Sequence, residues 1–133
     1  MKHLPLFLFI GLLFFSCRTN DKTPDAEENY SVFYFHPTAR CESCINIENF
    51  TKELIESKYS KPPAVVFTAY NIEDKENEHF RKDYGLKFSS VVLSKRKNGK
   101  EEKYKLLDSV WTYSGDKDGF IRYADSEIQK FMK

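Results

Sequence analysis

The chain is poor in the residues that would place it outside the ordinary globular class. Gly and Pro number 5 each in 133 residues, too few for a low-complexity protein. Neither sign of charge dominates, with 21 Lys+Arg against 20 Asp+Glu, and this balance excludes the clustered cationic surface on which nucleic-acid binding rests. The Lys95-Arg96-Lys97 run and Lys100 are local and sit beside Glu101-Glu102, so they read as a solvated hairpin turn. The carboxylates show no pairing of the kind acid–base hydrolysis uses, and no flavin site is evident. No apolar run reaches the about 20 residues that cross a bilayer as a helix. Cysteine is scarce at 3 residues, which makes the position of each one informative.

The chain is rich in apolar bulk. Hydrophobic residues make up 41%, including 12 Phe and 8 Tyr, enough for one modest core in a chain of single-domain size. Met1-Lys2-His3 is a short basic start, and Leu4 to Phe15 is apolar apart from Pro5 and Gly11, the pattern of a secretory signal over residues 1–16. Ser16-Cys17 closes it and resembles a bacterial lipoprotein processing site, in which Cys17 becomes the acylated first residue; an ordinary cleaved signal or an uncleaved anchor is the alternative. Residues 18–28 are polar and acidic, with Pro24, so 17–29 reads as a lipid anchor followed by a flexible tether. The expected location is the periplasmic face of a bacterial membrane, or an exported soluble state if Cys17 is not lipidated. Outside the inner membrane no glutathione buffer keeps thiols reduced.

The domain is expected over residues 30–133. Ser31 to Phe35 has the β-branched and aromatic composition of a buried strand, broken at His36-Pro37-Thr38. Ile47, Phe50, Leu54 and Ile55 then recur at helical spacing, with Glu48, Lys52, Glu53 and Glu56 facing outward. Lys61-Pro62-Pro63 stops that helix, and Ala64 to Tyr70 follows as an apolar strand of the type buried on both faces. A second helix is expected over 75–84 with Gly85 as its C-terminal cap. Ser90 to Ser94 and Glu101 to Leu106 are strands joined through Asn98-Gly99, a strong hairpin signal. Leu107 to Trp111 is ambiguous. The last helix opens at Gly115-Asp116-Lys117-Asp118 and buries Phe120, Ile121, Ala124, Ile128 and Phe131. The predicted class is α/β, in the order β-α-β-α-β-β-α.

The chemistry is concentrated at Arg40-Cys41-Glu42-Ser43-Cys44, between the first strand and the first helix. Residues three apart lie on neighbouring turns of one helix face, so the two sulfurs can meet. The free N–H groups and positive dipole end of the helix favour a thiolate at Cys41, the candidate nucleophile, with Cys44 as the resolving thiol. Arg40 adds to that stabilisation and Glu42 opposes it, which leaves the direction of electron flow open.

This arrangement resembles the thioredoxin fold, a four-stranded mixed sheet flanked by helices with its Cys-x-x-Cys after the first strand. Phe35 through Cys44, Tyr70-Asn71-Ile72-Glu73-Asp74 and Tyr84-Gly85-Leu86-Lys87 carry the likeness. More narrowly, Phe-His-x-Thr-x-Arg-Cys-x-x-Cys, the Gly-Leu-Lys-Phe-Ser-Ser-Val-Val-Leu entry and Trp111 with Gly115-Asp116-Lys117 resemble small exported thioredoxin-like proteins of Bacteroidota labelled as nitrophenyl-compound nitroreductase subunits of the ArsF type. The fold, not that label, is carried over. Thioredoxins have Trp before the first Cys and Gly-Pro between the two, where this chain has Arg40, Glu42 and Ser43. Where they carry a cis-proline facing the disulfide, this chain has Ser89 followed by Ser90, with a trans Phe88-Ser89 bond as the default. Ser89 and Ser90 thus stand where the family's substrate groove would be.

The resemblance implies a thiol–disulfide oxidoreductase without a cofactor, acting as a monomer on an exported thiol or disulfide partner and fed by an inner-membrane electron donor. Asn71 or Glu73 is a candidate to lie near the resolving cysteine, where the family has a buried carboxylate. Two other readings of the pair remain. One is a structural disulfide. The other is a soft-metal or metalloid site (zinc, copper, arsenite) on Cys41, Cys44 and His36, or a non-catalytic subunit of a larger complex. His36 alone reads as a strand-end residue and His79 as a surface one. Trp111 and Tyr113 read as core rim or as the wall of a groove.

Overall fold

Alternation along Glu28–His36 builds the central strand, β1: Tyr30, Val32 and Tyr34 face one side of the sheet and Phe33 and Phe35 the other. The computed structural model describes residues 28–133; the expected leader, Cys17 and most of the tether lie outside the described residues. Beyond β1 the order is α1 (Glu42–Lys58), β2 (Val65–Asn71), α2 (Phe80–Asp83), β3 (Ser90–Lys97), β4 (Lys100–Leu106) and α3 (Lys117–Phe131). The four strands form one mixed sheet in the order β2-β1-β3-β4. β1 pairs with β2 in parallel and with β3 antiparallel. The expected α/β class and element order are found. β1 begins two residues before the expected domain start because Glu28 pairs with Lys97 across β3 and its carboxylate reaches Lys95 at 3.0 Å.

Asn98 (φ 52°) and Gly99 (φ 76°) make the β3–β4 turn, with both central residues left-handed as a two-residue hairpin of this hand requires. α3 opens on Asp116, whose carboxylate accepts from the Gly119 amide at 3.0 Å. A Cβ at Gly119 would collide with that carboxylate and with the Tyr113 ring, so the cap itself requires glycine there. α1 and α3 cover one face of the sheet. Ile47, Leu54 and Ile55 of α1 meet Phe120, Ala124, Ile128 and Phe131 of α3 over Tyr30, Val32, Tyr34, Val91 and Leu93. Thr51, not the half-buried Phe50, completes the inner stripe of α1, its hydroxyl donating back to the Ile47 carbonyl at 2.7 Å.

Two expectations are overturned. Helix is confined to Phe80–Asp83, and residues 71–80 pass through successive turns in which Asp74, Asn77 and Phe80 each bond the carbonyl three residues back. Lys75 to His79 offers no apolar side chain to hold a helix on the sheet, and the Asn77 amide captures the Asn71 carbonyl instead. The terminus is as expected: Gly85 (φ 66°) reverses the chain and Leu86 N–H bonds the Arg81 carbonyl. Nor is β2 buried on both faces. It is an edge strand, with Val66 58% exposed. Its continuous apolar run is therefore not the mark of a central position.

Candidate functional site

Strand register gathers the chemistry at one end of the sheet. His36 and Asn71 are paired where β1 and β2 both finish, and Ser90 opens β3 opposite Phe35. The start of α1 and the turn through Phe88-Ser89 therefore lie at the carboxyl ends of the parallel strands, where open α/β sheets place their sites.

The loop from β1 into α1 is tied down residue by residue. The His36 ring donates from Nδ1 to the Pro37 carbonyl at 2.9 Å and stacks on Tyr34. Thr38 is gripped from the β2 end: Asn71 Nδ2 donates to its hydroxyl at 3.0 Å and its amide donates to Glu73 at 3.0 Å. Those Thr38 contacts hold the Glu73 carboxyl below its ordinary value. Asn71 and Glu73, expected near the resolving cysteine, are thus committed to the loop between β1 and α1 through their bonds to Thr38.

Cys41 caps α1. Its backbone is extended (φ −91°, ψ 167°), and its Sγ accepts the Cys44 amide hydrogen at 3.2 Å, the role that Ser or Asp usually fills. The Cα atoms of Cys41 and Cys44 are 5.0 Å apart and their sulfurs stand at disulfide distance. Cys41 is exposed, whereas Cys44 is buried in the first turn. One sulfur is presented to solvent and the other is held behind it.

Beneath the pair lies Tyr34, fully buried, whose hydroxyl donates to the Cys44 carbonyl at 2.7 Å. The buried Ser89 hydroxyl lies against the same phenol, and the Arg40 guanidinium sits 5.7 Å from its ring centroid. Burial pushes the Tyr34 phenol up, ahead of the opposing influence of Ser89 and Arg40, so it remains a neutral donor. Trp111 closes the site from the α3 side, with its indole N–H bonding the Ser89 carbonyl at 2.9 Å and its ring edge-on to Phe88. Asn46 ties the Trp111–Ser114 turn to α1 through the Ser114 carbonyl, at 3.1 Å. Phe88, 59% exposed, leaves an apolar surface over a small cleft of about 110 Å³ that Ser89, Ser90 and Trp111 help to line.

The structure brings Cys41 and Cys44 together and joins Ser89 to them through Tyr34. Ser90 turns away, its hydroxyl bonding the Phe88 carbonyl at 2.7 Å. The Phe88–Ser89 peptide is trans; the cis bond among the described residues is Pro62–Pro63. Arg40 lies beside the pair and ion-pairs with Glu48, which draws its charge toward α1. Glu42 is exposed at the first helical position. His36 does not join the cysteines: among the described residues no group of three or more His, Cys, Asp or Glu is placed to hold a metal ion. Cys17 lies outside the described residues. Sequence reasoning missed Tyr34, although a phenol at an inward position of an alternating strand needs a partner and so signals a polar contact. No helix of the described residues is long and apolar enough to cross a membrane. In comparison with known proteins, neither a family model nor a curated protein matches the chain.

Proposed function

We propose that this chain is a thiol–disulfide oxidoreductase of thioredoxin-like type, held at the periplasmic face of a bacterial membrane through acylated Cys17. On this reading it acts as a reductase of exported proteins. The observation that supports it best is the asymmetric capping of α1. Cys41 is exposed and has an amide hydrogen already on its sulfur, while Cys44 is buried within bonding distance. An N–H group and the positive end of a 17-residue helix both stabilise a thiolate at Cys41.

The Cys41 thiolate attacks one sulfur of a partner disulfide, forming a mixed disulfide and releasing the partner's other sulfur as thiolate. Cys44 then gives up its proton and attacks the Cys41 sulfur. The Cys41–Cys44 bond forms, the mixed disulfide breaks, and the partner leaves carrying both electrons. A membrane electron donor returns two electrons to the pair. No cofactor enters. The exposed Phe88 and the Ser89–Trp111 cleft are the surface that would meet the partner polypeptide.

The test is the reduction potential of the Cys41/Cys44 pair in thiol buffers, together with trapping by the single-cysteine variants. A potential near about −270 mV marks a reductant, and one near about −120 mV an oxidant. Cys44→Ser should accumulate a mixed disulfide that Cys41→Ser cannot form. A pair that cannot be reversibly reduced in the native fold, or that binds zinc, copper or arsenite stoichiometrically without such trapping, would overturn the reading in favour of a structural disulfide or a thiolate binding module.

A further inference from the structure

The second thiol transfer has a geometric requirement that the first lacks. Capture of a partner needs only an exposed Cys41, whereas release needs Cys44 Sγ to reach the far side of the Cys41 sulfur, in line with the bond to be broken. In the oxidised pair a covalent bond fixes the two sulfurs relative to one another. In the mixed disulfide that bond is gone, and the position of Cys44 depends on how firmly the first turn of α1 is held against the sheet.

Tyr34 supplies that hold. Its hydroxyl, on the central strand, donates to the Cys44 carbonyl at 2.7 Å in a fully buried position. The contact is to backbone and not to sulfur, so it is independent of the redox state of either cysteine. The peptide unit it engages also donates through Ile45 N–H to the Cys41 carbonyl at 3.1 Å, so one peptide unit links the strand to both cysteine residues. Chains of this kind reinforce one another in a low-dielectric interior. Arg40, on the loop before Cys41, stands with its guanidinium 5.7 Å from the centroid of the same ring.

We propose that Tyr34 is the positioning residue of the resolving step, holding Cys44 in line with the Cys41 sulfur while a partner is attached. This rests on the oxidoreductase reading. The phenol stays protonated, donates to the carbonyl throughout the cycle, and transfers no proton to either sulfur. Its removal therefore slows release and leaves capture intact.

The experiment uses the reduced full-length chain in mild detergent, with Cys17→Ser so that two thiols remain, mixed with a chromogenic nitrobenzoate disulfide. Capture by Cys41 releases one coloured thiolate and resolution by Cys44 releases the second, so one trace gives both rates. In Tyr34→Phe the second phase is expected to slow at least tenfold and the first to change less than twofold. Tyr59→Phe, which removes a phenol bonded to Asp125 far from the pair, should leave both phases unchanged. Equal slowing of both phases in Tyr34→Phe, or a wild-type second phase, would overturn the proposal. Should Tyr34→Phe not fold, hydrogen exchange on the mixed disulfide trapped in Cys44→Ser reads the hold directly: an Ile45 amide as protected as in the oxidised wild type supports the proposal, and one that exchanges freely overturns it. If the parent chain releases fewer than two equivalents of coloured thiolate, the oxidoreductase reading itself fails, an outcome distinct from a defect confined to the variants.

Discussion

The two faces of the sheet are covered by different means. On one, α1 and α3 lay mostly aliphatic stripes over Tyr30, Val32, Tyr34, Val91 and Leu93. On the other, a four-residue helix and the turns around it cover Phe33, Phe35 and Val92 with Ile72, Tyr84 and Leu86. Where little helix is available, rings do the covering: Phe80 lies with its centroid 5.0 Å from both Phe35 and Tyr70 and 5.9 Å from Tyr84. Each aromatic residue removes more surface from water than an aliphatic one, and tilted or stacked pairs add about 0.5–1.5 kcal/mol each. Both cysteines and Tyr34 belong to the helical face. The cysteine pair thus sits where two long helices pack on the sheet, and the aromatic face closes the other side of the fold.

The contrast is broken most severely at the centres of the two faces. Phe120→Ala removes a fully buried ring that meets Phe50 and the α1 stripe, and should cost about 3–5 kcal/mol in urea unfolding. Phe80→Ala removes a half-buried ring from the thin face. It should cost about 2 kcal/mol, because less surface is lost and water can enter from an open side. Equal costs would mean that the aromatic layer is as much a core as the helical one.

A smaller effect tests what clamps the two helices together. Asp125 of α3 accepts from Lys58 and Tyr59 at the end of α1 and from Gln129. Burial alone would raise its carboxyl, but Lys58 and Tyr59 outweigh it and hold it below the ordinary carboxylate value. A carboxyl lowered on folding adds stability that is full above its unfolded pKa of about 4 and lost as pH falls through the folded value. Asp125→Asn should therefore cost about 1 kcal/mol at neutral pH, a modest figure because the pair is partly solvated. The difference from wild type should close below about pH 4, as read from unfolding curves across pH. On the thin face Tyr84→Phe, which loses the bond to Glu101 at 2.8 Å, should cost about 0.5–1 kcal/mol, since Ser94 still bonds that carboxylate.

Local chemistry was the legible part of the sequence. The Asn98-Gly99 turn, the start of the last helix within Gly115-Asp116-Lys117-Asp118, the Gly85 terminus and the Cys41–Cys44 spacing each depend on a few adjacent residues, and each is found. Strand order is not local. The apolar run of β2 is compatible with a central or an edge position, and only pairing with β1 alone decides it. The second helix was over-read because turn residues with helical propensity lacked an apolar stripe. Within the site, the cysteines were legible from spacing, whereas Tyr34 was not, since a tyrosine among Val and Phe reads as core until its hydroxyl is seen to meet the Cys44 carbonyl.

The smallest expected effect comes from the least covered part of the thin face. Val66, Ser31, Ser94 and Tyr104 form one row across all four strands, and both ends of the row are open, with Val66 58% and Tyr104 49% exposed. The two edges nonetheless differ. β4 carries Lys100, Glu101, Glu102, Lys103 and Lys105, whereas β2 has no charged residue from Val65 to Asn71. Charge on an edge strand opposes pairing with another chain, and its absence leaves a row of backbone groups able to add a strand. Val66→Lys places a charge on the unguarded edge, on the face away from Cys41, and removes a side chain that is already mostly in water. Stability should change by less than about 0.5 kcal/mol, and the potential of the cysteine pair should not move. A loss of 2 kcal/mol or more in urea unfolding would mean that Val66 is covered in solution, and that the thin face is thicker than the 28–133 fold alone makes it.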